Sequence, residues 1–422
     1  MGGDMTHTAN AGPASGERSL LHSLQASRPR ASLLQTTDKF AAYRQLVPSL
    51  SDVGPIFLNA AGAPPSNMIV HEAIIRYASE ALYDSHPQTG WKAKAKEARE
   101  LLSRCINADP SSIAFKRDTT EGMGDFIRSI RFQPGGNVVV FDNEHPNQVY
   151  GWMALRDAGL EVRQIPSISD VERLGHAVAA NADTFRPFVD GRTRAIGLSS
   201  IMFDTGQHND VKGICAEFRP RGIHVLADLA QHVGFAQVDV RAMGVGSNCP
   251  TGIAALYVDP AMIADLDPTP PIVSVCGISD PRSDYLVPAD PLVFHTTAQR
   301  FEHQNLSLVG TCTAGAFLRF YLDSMGPRDV EDHLQSLGDV LFRECDKLGI
   351  NIVSPRDRDK RAPHLYILNL RDPRWITILE GHKIRMTPSR LGIRISFGFY
   401  SNIEDVMRLA RVLGNGLNYL GG

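Results

Sequence analysis

Several features that would have pointed to other classes of protein are missing from this chain. There are no paired cysteines at metal or redox spacing: Cys105, Cys215, Cys249, Cys276, Cys312 and Cys345 stand singly. That excludes a CxxC redox motif, and in a chain of 422 residues it fits a reducing compartment with mostly buried thiols. Charge of one sign is not in excess, and a net charge of −3 gives no electrostatic footing for nucleic acid or an anionic membrane. No apolar run reaches membrane-spanning length, and Met1 to Gly16 lacks the apolar stretch of a secretory signal. A cytoplasmic protein with no membrane or nucleic-acid partner is expected. Lysine is also absent from the whole stretch between Lys212 and Lys347.

What is present is a β–α alternation. Short apolar runs at Ile113–Phe115, Asn137–Phe141, Leu160–Ile165, Arg194–Ser200 and Val225–Ala227 read as strands. Helical patterns at Gly90–Ile106, Val149–Ala158 and Asp210–Phe218 fall among them, as a mostly parallel, doubly wound α/β sheet requires. Asn67–Tyr83 reads as a further helix, and His86–Trp91 as a loop. Towards the C-terminus the pattern gives helices at Ser307–Met325, Val330–Leu348 and Ile403–Leu413, with strands at Leu365–Leu370 and Trp375–Leu379.

Chemistry-bearing residues gather at the ends of these elements. Asp228 closes the Val225–Ala227 strand and Gln231 follows it, and ligands in open α/β sheets sit at the carboxyl ends of strands. The plain alternative is an Asp that caps the next turn. Thr119 and Thr120 precede a helix, where they are either ordinary caps or part of a phosphate seat. Glu144-His145 ends another strand. Asn59 lies in Phe57-Leu-Asn59-Ala-Ala-Gly62, a strand running into a Pro/Gly turn, and Arg394 lies in a C-terminal run that ends at Tyr400-Ser-Asn402.

In this order the motifs resemble the class V aminotransferase-like family, fold-type-I enzymes dependent on pyridoxal 5'-phosphate (PLP). The resemblance covers roughly residues 55–415. It implies a large α/β domain at 51–300 with a mostly parallel sheet, and a small C-terminal α+β domain at 301–422. An N-terminal arm at 1–50 precedes them, and the N-terminal segment would complete the small domain. It implies an amino acid or amine substrate and a homodimer. Asp228 would pair with the protonated pyridine nitrogen, which keeps the ring an electron sink, and His145 would stack on the ring. Gln231 would reach the phenolic oxygen, Thr119 and Thr120 the phosphate, and Asn59 and Arg394 the substrate, Arg394 through its carboxylate. Phe203 stands where the family has an Asn. With no Cys in the 383–400 region, it argues against a desulfurase and for an epimerase-like or biosynthetic branch.

One segment of the family pattern is absent. Val238-Asp-Val-Arg-Ala-Met-Gly244-Val245 and Pro250-Thr-Gly252-Ile-Ala-Ala-Leu-Tyr257-Val258 both match, but only Gly246 to Cys249 separates them. The strand and the Schiff-base lysine that belong between these flanks are gone. A segment lost from a lysine-bearing ancestor, or a genuine variant without the lysine, would each produce this. The variant reading makes the chain an inactive homologue acting as a partner or regulator. Either way the sheet is expected to be one strand short, with its neighbours unpaired.

Overall fold

The computed structural model describes residues 33–50, 54–243, 253–269, 273–279 and 291–420. From the N-terminus come α1 (Leu33–Arg44), β1 (Ile56–Phe57), α2 (Met68–Tyr83), α3 (Pro87–Ile106), β2 (Ile113–Lys116) and α4 (Thr119–Ser129). The alternating stretch follows: β3 (Asn137–Phe141), α5 (Pro146–Met153), β4 (Glu161–Ile165), α6 (Ser167–Leu174), β5 (Thr193–Ser199), α7 (Val211–Phe218) and β6 (His224–Asp228). After β7 (Ala254–Tyr257) the chain continues through α8 (Leu308–Arg319), α9 (Pro327–Lys347), β8 (Leu365–Leu368), α10 (Arg374–Gly381), β9 (Ile384–Arg385), β10 (Thr387–Ser389), β11 (Gly392–Ser396) and α11 (Ile403–Leu420).

The central sheet has the order β4–β3–β5–β6, all parallel. Every residue of β3 is buried, which explains its uninterrupted Val138-Val139-Val140: helices cover both faces. Parallel pairing carries the ends of β3, β5 and β6 to one edge, so Glu144, Ser199 and Asp228 become neighbours although far apart in sequence.

β2 and β7 form a separate antiparallel pair, Ile113 facing Tyr257 and Lys116 facing Ala254. Among the described residues β6 pairs only with β5, and β7 only with β2. This is the pairing of a sheet one strand short between β6 and β7. The segment itself, residues 246–249, lies outside the described residues. A cavity of about 530 Å³ reaches this place, lined there by Phe115, Gln231, Val233 and the first residues of β7.

The C-terminal part builds a three-stranded antiparallel sheet, β10–β11–β8. Its core takes in Phe40, Tyr43 and Ile56 from the N-terminal stretch beside Leu341, Tyr366 and Leu409. β1 pairs in parallel with β9, and Arg44 forms an ion pair with Asp405 at 2.8 Å. Near the central sheet, Gly206 has φ +69°, and a Cβ there would lie 2.5 Å from the carbonyl oxygen of Leu365. Only glycine lets the loop after β5 come this close to β8.

Three local expectations are corrected. Trp375–Leu379 is helical, within α10: Trp375 and Leu379 are buried and the residues between them are not, which is an i, i+4 face rather than strand alternation. His86–Trp91 is not a loop, because Pro87 opens α3 and the Trp91 ring stacks on Tyr77 at 4.1 Å. The Ser307–Met325 helix ends as α at Arg319 and continues as a wider π turn over Phe320–Met325.

Candidate cofactor and substrate site

Asp228 sits where β6 turns. One carboxylate oxygen accepts from the Ala230 amide at 2.9 Å, and the other takes no hydrogen bond among the described residues. Burial pushes its pKa up, opposed by the Ala230 hydrogen bond and then by nearby His145. Glu144, at the end of β3, is 4% exposed. It accepts from the amides of Ser199 (2.7 Å) and His145 (2.9 Å) and from the Ser199 hydroxyl. Desolvation outweighs these bonds and raises its pKa to about 7.

His145 is linked in two directions. Its Nδ1 accepts from the Asn147 amide (3.3 Å), and the Asn147 side chain donates to Thr120 Oγ1 at 2.8 Å. Thr119 and Thr120 occupy the first turn of α4, capped by Asp118, which accepts from the Glu121 amide at 2.8 Å. A helix N-terminus that presents hydroxyls suits a phosphate. On the other side Phe203 meets the His145 ring edge-on, centroids 5.1 Å apart.

The Phe203 carbonyl accepts from Arg394 Nη1 at 3.2 Å. Nη2 of Arg394 makes longer bonds of 3.4 Å to Asn59 Oδ1 and Thr387 Oγ1, and the Thr387 hydroxyl donates to Asn59 at 2.7 Å. Its Nε is buried without a partner, and all its acceptors are neutral. A guanidinium desolvated in this way has its pKa lowered and lacks a bidentate anion. Thus Asn59, Thr120, His145 and Arg394 lie on one chain of contacts, with Asp228 electrostatically coupled to His145.

Gln231 is engaged differently. Its amide donates to the Ala61 carbonyl at 3.0 Å and accepts from His364 Nε2 at 3.3 Å. It therefore ties the end of β6 to the segment after β1 and to the start of β8. His364 stacks flat on Phe235 at 3.7 Å, and burial holds its pKa well below the usual range.

Sequence reasoning passed over Asn143 and Asp204. Asn143 Nδ2 donates to Asp204 Oδ1 at 3.2 Å, and burial raises the Asp204 pKa to about 7. The available signal was the carboxylate next to the already noted Phe203. No lysine joins this group. Lys39, Lys94, Lys116, Lys347 and Lys360 pair with acids elsewhere, and Lys92, Lys96, Lys212 and Lys383 are exposed.

A carboxylate oxygen left open at a strand end, an imidazole beside it and a hydroxyl-bearing helix N-terminus match the ring and phosphate of PLP, so fold and site place the chain among fold-type-I PLP proteins. Its family can be stated more closely: the chain belongs to the Aminotransferase class-V family, which it matches over residues 57–409. It is 42% identical over 390 residues to a protein of Schizosaccharomyces pombe named an uncharacterized aminotransferase, covering 90% of this chain and 96% of that protein. Its fold is similar to the apo cysteine desulfurase of Thermococcus onnurineus, with TM-score 0.77, 18% identity, and 93% and 100% of the two chains covered. It is similar also to a lysine-to-alanine mutant of C-DES with glycine covalently linked to its PLP cofactor, with TM-score 0.78, 18% identity, and 88% and 99% covered.

Proposed function

We propose that the chain binds PLP and works on an amino acid at its α-carbon, through transfer, epimerisation, or lyase or condensation chemistry. PLP supplies an electron sink for charge that develops at that carbon. The observation that carries the substrate reading is Arg394: a half-buried guanidinium that hydrogen-bonds only to neutral oxygens, with Asp204 near it through space and Nε buried and unpartnered, suits a substrate carboxylate.

Asp228 keeps the pyridine nitrogen protonated through its open oxygen. His145 packs on the ring, and Thr119 and Thr120 receive the phosphate at the start of α4. Asn59 and Thr387 orient Arg394. Gln231, committed to Ala61 and His364, holds the mouth segment and the C-terminal sheet against the end of β6. The C-DES mutant supports binding in this fold with one lysine replaced, since glycine is linked to the cofactor there. A homodimer in the cytoplasm fits the family pattern and the scattered free thiols.

The lysine placements favour a second reading, in which the chain retains the cofactor pocket but serves as a partner or regulator of an active relative. A visible absorption scan with PLP separates the readings, followed by addition of amino acids, borohydride reduction and peptide mapping. Cofactor that binds, is weakened by Asp228→Ala and reacts with added amino acid supports the enzyme. Cofactor that binds and stays inert to every amino acid supports the regulator. A folded protein that shows no cofactor binding refutes the enzyme and leaves the regulator.

A further inference from the structure

The cavity of about 530 Å³ extends beyond the gap between β6 and β7: Val70 of α2, Leu102 of α3, Ala314 and Phe317 of α8, and Phe399 after β11 line it too. That volume falls within the range of small-ligand pockets. Among the described residues no charged side chain lines it. Polar side chains on its wall are committed within the protein. Asn67 accepts from the Val70 amide, Thr313 donates to the Val309 carbonyl, and Gln231 donates to the Ala61 carbonyl. What the cavity presents to an occupant is mainly apolar surface.

The same cavity borders the candidate site. Thr119 and Gln231 are on its wall, as is Ala230, whose amide donates to Asp228. The segment after β1 joins it to Arg394: Nη2 donates to Asn59 Oδ1, and the next residues, Ala60, Ala61 and Gly62, line the cavity. A carboxylate at Arg394 and a side chain in the cavity are thus served by consecutive residues of one segment. Apolar walls around empty space forfeit dispersion contacts, and an apolar group that enters gains them while leaving water. A charged side chain would lose its hydration there and meet no counter-charge.

We propose that this cavity receives the side chain of the substrate, so that the chain selects amino acids with a long or bulky apolar side chain over charged ones of similar length. This rests on the reading of Arg394 given above. It adds a choice among amino acids that a grip on the carboxylate alone does not make.

The test is calorimetric titration of the PLP-supplied protein with L-alanine, L-norleucine, L-2-aminooctanoate and L-lysine, repeated on Ala314→Phe, Val70→Trp and Arg394→Ala. Burying the extra methylenes of norleucine gives it a Kd about ten- to hundred-fold tighter than that of alanine. Aminooctanoate binds at least as tightly as norleucine, and lysine no tighter than alanine. Ala314→Phe and Val70→Trp fill the cavity from two different helices, and each removes most of the norleucine advantage in a protein shown by thermal melt to be folded. Equal binding of norleucine and alanine by the wild type overturns the subsite, as does lysine binding like norleucine. An advantage that survives in a folded filled variant from each helix overturns it too, and the wild-type comparison decides even if neither variant folds. Arg394→Ala weakens all four amino acids and keeps the norleucine advantage. If it weakens none while that advantage persists, the carboxylate reading fails and the apolar subsite stands, so the two failures are told apart.

Discussion

Replacing Glu144 by glutamine isolates the energetic cost of the acid at the heart of the site. The folded-state pKa is about 7 against an ordinary 4.5, and the cause is burial. Across that window the folded state binds more protons than the unfolded, so stability falls as pH rises from about 4.5 to 7. At about 1.4 kcal/mol per pKa unit, Glu144 alone removes on the order of 3 kcal/mol between the two ends. Glutamine cannot ionise, so this contribution to the slope disappears in the variant. It has its own penalty, because Glu144 accepts from two backbone amides, Ser199 and His145, one at each oxygen. Whichever way the amide turns, its NH2 group faces one of those N–H donors, at about 1–3 kcal/mol. A neutral wild-type carboxyl meets a similar conflict at low pH. Urea titrations of the cofactor-free protein at pH 5 and pH 8 should therefore show the variant near or somewhat below wild type at pH 5. At pH 8 it should have gained about 3 kcal/mol relative to wild type. Asp204 adds a slope of the same sign that is present in both proteins and cancels in the difference, whereas the repulsion between Asp228 and Glu144 is relieved in the variant and adds to its gain at pH 8. Parallel stability curves for the two proteins would refute the buried-charge account of Glu144.

Other substitutions follow from geometry already described. Lys116 and Asp125 are both fully buried and pair at 2.6 Å. Lys116→Met should cost about 3–5 kcal/mol by chemical denaturation, and adding Asp125→Leu should restore part of it, because the buried acid, left with only the half-exposed Arg128 at 3.3 Å, is then removed. Gly206→Ala meets a positive φ and the Leu365 carbonyl together. It should lower stability by at least about 1–3 kcal/mol in a denaturant melt, whereas Gly222→Ala, with positive φ but open space, should cost less. Arg394→Lys keeps the charge but loses the planar fork. Amino acid binding by calorimetry should weaken about ten- to hundred-fold, while an amine without a carboxylate should be unaffected.

The sequence made the central strands legible because their signal is local. β3 and β6 are continuous apolar runs ending in polar residues, and Asp228, His145 and Thr120 were found as the residues next to such ends. α10 was misread for the same reason: five residues from Trp375 to Leu379 carry too little periodicity to separate strand from helix, and only the burial of Trp375 and Leu379 decides it. The short connection was also legible, since matching flanks stand too close together, and among the described residues β6 and β7 each lack a partner on one side.

What stayed hidden depends on which strands become neighbours. Asn143 and Asp204 meet because β3 and β5 pair in parallel although β4 separates them in the chain. A reading that follows chain order sees two polar residues 61 positions apart, one after each strand. The Gln231–His364 bond, across 133 positions, is hidden in the same way, because it joins the end of β6 to a different sheet. Residues that hold a cofactor can be recognised one motif at a time, each at its own strand end. A contact such as Asn143–Asp204 needs two strand ends at once, so it is encoded in the pairing of β3 with β5 rather than in any one stretch of sequence.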